Sequence, residues 1–209
     1  TSAWIRNFNP FSPNALWPTQ AGIYEPLLIY NTLTGQYVPW LAKNHRWSAD
    51  SLAIEFTLRA GVQWSDGETF DADDVVYTFE LMKTHPALDT ASVWKRLVRI
   101  EKLGPYSVRF VLAKVDFPAL PILAHQMIVP EHIWSQVKAP NTYRNETPVG
   151  TGPYPTVVSF RTQLFELGRH PHYWQKHARL AKKLRMLFSG QKTILRAQTE
   201  QSEHDFLNC

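Results

Sequence analysis

Four groupings in this sequence have residue types and spacings with chemical potential. His170, His172 and His177 fall close together, and eight histidines in all invite a metal-assisted hydrolase reading. No HExxH or other ligand spacing accompanies them, and no carboxylate partner lies at short range. Asp71, Asp73 and Asp74 offer clustered carboxylates. They stand where a helix begins, with Asp71 as the N-cap and the others in the first turn, so they read as capping and dipole groups rather than a catalytic pair. Gly150-Thr151-Gly152 resembles a phosphate loop only superficially, because the lysine and the following helix are missing. No Gly-x-Ser-x-Gly elbow is present for a serine nucleophile. The fourth grouping binds rather than reacts. Residues 1–18 interleave Trp4, Phe8, Phe11 and Trp17 with the amides of Asn7 and Asn9, which is what a polyhydroxylated ligand needs. A proline-ended loop that turns its aromatics inward would have the same composition.

The elements that must position these groups are legible in outline. The stretch 56–81, FTLRAGVQWSDGETFDADDVVYTFEL, reads as the end of a strand, a turn at Ser65-Asp66-Gly67, and a helix from Asp71. That helix stops near His85-Pro86. A short helix is expected across Ala21 to Tyr30, and a looser one across Ala87 to Arg99. Residues 100–103 and 106–112 read as two strands around Gly104-Pro105, with Val108, Phe110 and Leu112 on one buried face. Asp116 starts a short helix, and Ile128 to Trp134 runs from a strand end into another. A strand pair bends at residues 160–163. Lys183 to Phe188 is a strand and Lys192 to Gln201 a helix, with Ile194, Leu195 and Ala197 as its apolar positions.

Bulk properties bound the function. A chain of 209 residues, 44% apolar and 19% charged, has enough material for a sizeable core. The net charge of +4 gathers late, in residues 177–185, without the basic-aromatic interleaving of a nucleic-acid surface. A single cysteine, Cys209, excludes an internal disulfide and a cysteine metal cage, though it allows pairing between chains. No apolar run reaches the roughly 18 residues of a membrane helix. The N-terminal residues TSAW do not read as a signal peptide, so export is an expectation of the resemblance described next and of nothing else.

Five segments, taken in order, resemble the bacterial extracellular solute-binding proteins of family 5, the oligopeptide, dipeptide, nickel and cello-oligosaccharide receptors of ABC importers. They are YEPLL at 24–28, VPWLA at 38–42, LRAGVQWSDGETFDADDVVYTFE at 58–80, IVPEHIW at 128–134 and VGTGPY at 149–154. The resemblance implies an α/β, periplasmic-binding-protein-like fold of type II, cluster C. Residues 1–29 and 149–209 would belong to the first large lobe, and residues 30–148 would form an inserted small α/β subdomain. The second lobe is expected to be absent, because the chain ends where it should begin. The implied function is capture, without chemistry, cofactor or resident metal, of an oligomeric solute outside the cytoplasmic membrane and delivery to a membrane permease. The NFNPF wording at 7–11 is closest to the oligosaccharide binders, so a glycan is favoured over a peptide. The implied ligand contacts are Trp4, Asn7, Asn9, Trp17, Tyr24 and Glu25, with Asp205 and Asn208 near the crossover to the second lobe. Tyr24 and Glu25 would equally serve local packing and capping. A receptor fragment acting as an interaction module without ligand is the alternative. Three departures from the family pattern, Pro155, Gly168 and His170, put the ladder around them in question.

Overall fold

The structure is a computed structural model that describes residues 4–20, 22–161, 163–176, 181–189 and 192–198. Three antiparallel sheets carry it. The first is a hairpin of β1 (Leu28–Asn31) and β2 (Gln36–Pro39), turned at Gly35 with φ +67°. The second has the order β3-β4-β6-β5, from β3 (Ala42–Trp47), β4 (Ala53–Leu58), β5 (Leu97–Gly104) and β6 (Ser107–Leu112). The third has the order β10-β9-β8-β7, from β7 (Thr156–Arg161), β8 (Leu164–Gly168), β9 (Lys183–Ser189) and β10 (Lys192–Gln198).

Alternation decides which face of the second sheet is covered. Val108, Phe110 and Leu112 of β6 are buried while their neighbours are half-exposed, the period of two that a one-sided sheet requires. Helix α1 (Ala72–Thr84) lies on that face, with Phe79 edge-on to Phe110 at 4.8 Å. Its N-terminus is built as the sequence predicts and then more tightly. Asp71 accepts from the Asp73 N–H at 2.8 Å, and Asp74 reaches back to the Asp71 N–H at 3.1 Å, completing a capping box. Asp74 also accepts from the Trp64 indole at 3.0 Å and from the Glu131 N–H at 2.9 Å. One carboxylate thus joins α1 to the preceding loop and to the short helix α3 (Glu131–Trp134). Between them, α2 (Ala119–Ala124) follows the expected start after Asp116.

Burial pushes the Asp74 carboxyl up to about 6, against the pull of its three N–H donors. Its pKa is thus higher folded than unfolded, so proton uptake by Asp74 favours folding below the unfolded value, and that contribution fades as pH rises through 6. In a wild-type versus Asp74→Asn comparison, the wild type should gain about 2–3 kcal/mol relative to the variant between pH 7 and pH 4. An NMR titration of Asp74 with its midpoint below 4 would refute this.

Three expected helices are not helices. Residues 22–30 hold no helix: after a 3-10 turn at Trp17–Gln20 the chain passes through a turn and runs into β1. Pro26 has no N–H to give a helix and Gly22 favours other conformations, so the apolar run is a buried extended segment bridged to Met127. Across 87–99 there are two 3-10 turns, Pro86–Leu88 and Val93–Lys95. Asp89 takes the Val93 and Trp94 N–H groups, and Ser92 sits left-handed at φ 53°, so local hydrogen bonds displace the helix. Lys192–Gln198 is β10, paired along its length with β9. The unpaired edge of β9 and the β-branched Thr193-Ile194 outweigh the apolar spacing read as helical. Residues 199–201 lie outside the described residues.

The questioned ladder forms. Pro155 falls one residue before β7, where its missing N–H costs no pairing, and Gly168 is the last paired residue of β8. Arg185 on β9 stands opposite Glu166 and donates from Nε at 2.7 Å, so this member of the late basic run is an internal cross-strand pair. Residues 177–180 lie outside the described residues.

Candidate functional site

The N-terminal segment is held as a wall by its own amides. Asn9 is buried; its side-chain N–H₂ donates to Pro140 O at 3.1 Å and Tyr143 O at 2.7 Å, while its oxygen accepts from the Phe11 N–H at 2.9 Å. Asn7 donates to Ser12 Oγ at 3.0 Å and accepts from the Asn9 N–H at 3.1 Å. Trp4 packs edge-on against Phe165 at 4.8 Å. Tyr24 is buried, and its hydroxyl accepts from Asn145 Nδ2 at 2.6 Å; burial raises its pKa well beyond the ordinary phenol value. The amides of Asn7 and Asn9 and the Tyr24 hydroxyl therefore have partners inside the fold. Trp17 differs, with 60% of its surface exposed.

Behind this wall lies a depression of about 300 Å³. Pro10, Phe11, Leu88 and Met127 supply apolar surface. Ser12, Gln20, Thr90, His125 and Gln126 supply hydroxyl, amide and imidazole groups. Among the described residues that line it there is no lysine, arginine, aspartate or glutamate. Trp17 and Gln20 open and close the same 3-10 turn; Gln20 lines the depression, whereas Trp17 is exposed and is not among its lining residues. The sequence reading missed Gln20, Thr90, His125 and Gln126. They come from three separated connections, and no local pattern marks them before tertiary contacts bring them to one place.

Glu25 lies elsewhere and acts as a clamp. It is 3% exposed and accepts from the Trp40 indole at 2.8 Å, the Tyr173 hydroxyl at 2.7 Å and the Trp174 indole at 2.9 Å. Burial raises its carboxyl above the usual range, and these donors pull it back. His170 is buried as well. Its Nδ1 accepts from the His172 N–H at 3.0 Å and its Nε2 faces Gln63 O at 3.3 Å, which fits a neutral ring; burial lowers its pKa. Asp205 and Asn208 lie outside the described residues. No group of three potential metal ligands occurs among the described residues.

The chain belongs to the family of bacterial extracellular solute-binding proteins, family 5, whose middle region matches residues 36–208. This is a family of receptors and not of enzymes. The nickel-binding periplasmic protein of Escherichia coli (strain K12) is 32% identical over 187 residues, covering 83% of this chain and 34% of that protein. The mannohexaose-bound periplasmic oligopeptide-binding protein of Thermotoga maritima superposes with a TM-score of 0.77 at 34% identity, covering 83% of this chain and 33% of that one. NikA from Brucella suis, in complex with Fe(III)-EDTA, gives 0.71 at 26% identity, covering 94% of this chain and 38% of that one. The chain spans about a third of the length of the relatives it matches. No helix among the described residues is long and apolar enough to cross a membrane.

Proposed function

We propose that this chain supplies the first-lobe part of a receptor that captures an uncharged oligomeric solute, an oligosaccharide in preference to a peptide, outside the cytoplasmic membrane. A membrane ABC permease is its partner. Residues 1–29 and 149–209 form the lobe and residues 30–148 its small subdomain. The observation that carries the reading is the lining of the depression: hydroxyls, amides and apolar surface with no lysine, arginine, aspartate or glutamate among the described residues, and an exposed indole three residues along the chain from Gln20. A peptide brings charged termini whose desolvation must be offset by opposite charges, whereas a glycan needs amides and ring faces. The relative that holds mannohexaose supports the same preference, although it is named for oligopeptides. Trp17 is the stacking platform, Gln20 and Gln126 are the polar rim, and Trp4, Asn7, Asn9 and Tyr24 shape the wall. In the proposal Glu25 positions distant loops, and Asp205 and Asn208 remain ligand contacts toward the second lobe.

The test is a thermal melt with cello-oligosaccharides, xylo-oligosaccharides and short peptides. A Tm raised by a glycan series is expected, since a ligand bound only to the folded state stabilises it. A Tm raised by peptides alone would overturn the preference. Trp17→Ala should leave the ligand-free Tm within about 2 °C and weaken glycan binding about tenfold, the range of a lost aromatic contact. Unchanged glycan affinity in that variant would remove Trp17 from the site.

A further inference from the structure

A second cleft is larger than the depression described above. It measures about 790 Å³ and lies between the β3–β4 region and the segment after β8. Its cations are Lys43, Arg59, Arg169 and Lys176, and no carboxylate lines it among the described residues. Like charges gathered in one concave surface repel one another, and that repulsion is relieved by an anion. Arg59 is the fixed member. Its Nε donates to Trp40 O, its Nη2 to Pro39 O at 3.4 Å, and its guanidinium lies 4.8 Å from the Trp174 ring centre. Trp174 is itself held by the buried Glu25, so a positive charge is preorganised against an aromatic floor. Lys43, Arg169 and Lys176 are exposed around it and free of ion pairs among the described residues.

We propose that this cleft is a second binding site, for a small polyanion carrying two or more carboxylate or phosphate groups. It shares no lining residue with the depression, so it neither needs nor excludes the solute there. Three cations on flexible stems and one rigid guanidinium suit a ligand with several anionic oxygens, and the volume is that of a small-molecule site.

The experiment is isothermal titration of citrate and of pyrophosphate into the chain at low salt, with acetate as the monovalent comparison. Saturable binding of either polyanion, weakened by added salt and absent with acetate, is expected. Lys43→Ala combined with Arg169→Ala should weaken it at least about tenfold. Both side chains are exposed, so the fold is kept. The charge-matched pair Lys114→Ala and Lys138→Ala, away from the cleft, should leave it unchanged. Equal losses in the two pairs would reduce the effect to net charge and overturn the site. So would no saturable binding of either polyanion, or binding to phosphatidylglycerol vesicles with none to either soluble anion. Trp17→Ala should not alter polyanion affinity, which separates failure here from failure of the glycan reading.

Discussion

Glu25→Ala is expected to destabilise the chain by about 3–5 kcal/mol, because it orphans three partly buried donors at once. The Trp40 indole, the Tyr173 hydroxyl and the Trp174 indole all point at this one carboxylate. Alanine offers them no acceptor, and the desolvation that each has already undergone is no longer offset. The partners come from distant parts of the chain, so the loss reaches the junction of β2 with β3 and the segment after β8 together. With a urea m-value of roughly 2 kcal/mol/M, the unfolding midpoint should fall by about 2 M. Trp40 and Trp174 should also become more solvated, which shifts indole emission to the red. Glu25→Gln keeps one acceptor oxygen and should lose less. A midpoint for Glu25→Ala within about 0.3 M of wild type would show that the clamp contributes nothing.

That clamp also marks where sequence reasoning stopped. Tyr24-Glu25 was readable as a motif, and Glu25 as either a ligand contact or a local packing group. Nothing local says that the carboxylate will meet Trp40 and Tyr173-Trp174, which lie 15 and about 148 positions away. Helix α1 is the opposite case. Its start is written in neighbouring residues, since an N-cap acts within one turn, and Asp71 caps it as read. Even there, the bonds from Trp64 and Glu131 to Asp74 were invisible, because they depend on packing. β10 shows the remaining limit. Over seven residues an apolar spacing fits a helix and a strand alike, and the vacant edge of β9 decides between them. The depression follows the same rule. Its N-terminal wall was legible in composition, whereas Thr90, His125 and Gln126 arrive through tertiary folding.

Gly150→Ala should be the second large effect, and for a different reason. A Cβ at Gly150 would lie 2.0 Å from Ile23 O and 2.8 Å from Ile23 C, well inside contact distance of a backbone that cannot swing aside. At Gly152 the same atom would meet Gly22 O at 2.5 Å. The two glycines are therefore explained by close approach rather than by phosphate binding. Gly152 and Tyr154 donate to Ile23 O at 2.9 Å and Gly22 O at 2.7 Å, and Ser65 donates to Gly150 O at 3.0 Å. These bonds fasten the N-terminal segment to the loop before α1. Overpacking against backbone should cost Gly150→Ala about 3 kcal/mol or more, and Gly152→Ala a similar amount. Gly61→Ala makes the comparison. Its Cβ would have open space, so only its φ of +78° is penalised, by about 1–2 kcal/mol. Thermal melts should rank the variants in that order. Gly150→Ala should also weaken glycan binding more than its stability loss alone requires, because the segment it displaces carries Phe11 and Gln20 of the depression. If Gly150→Ala melted no lower than Gly61→Ala, the close approach of these two segments would be wrong.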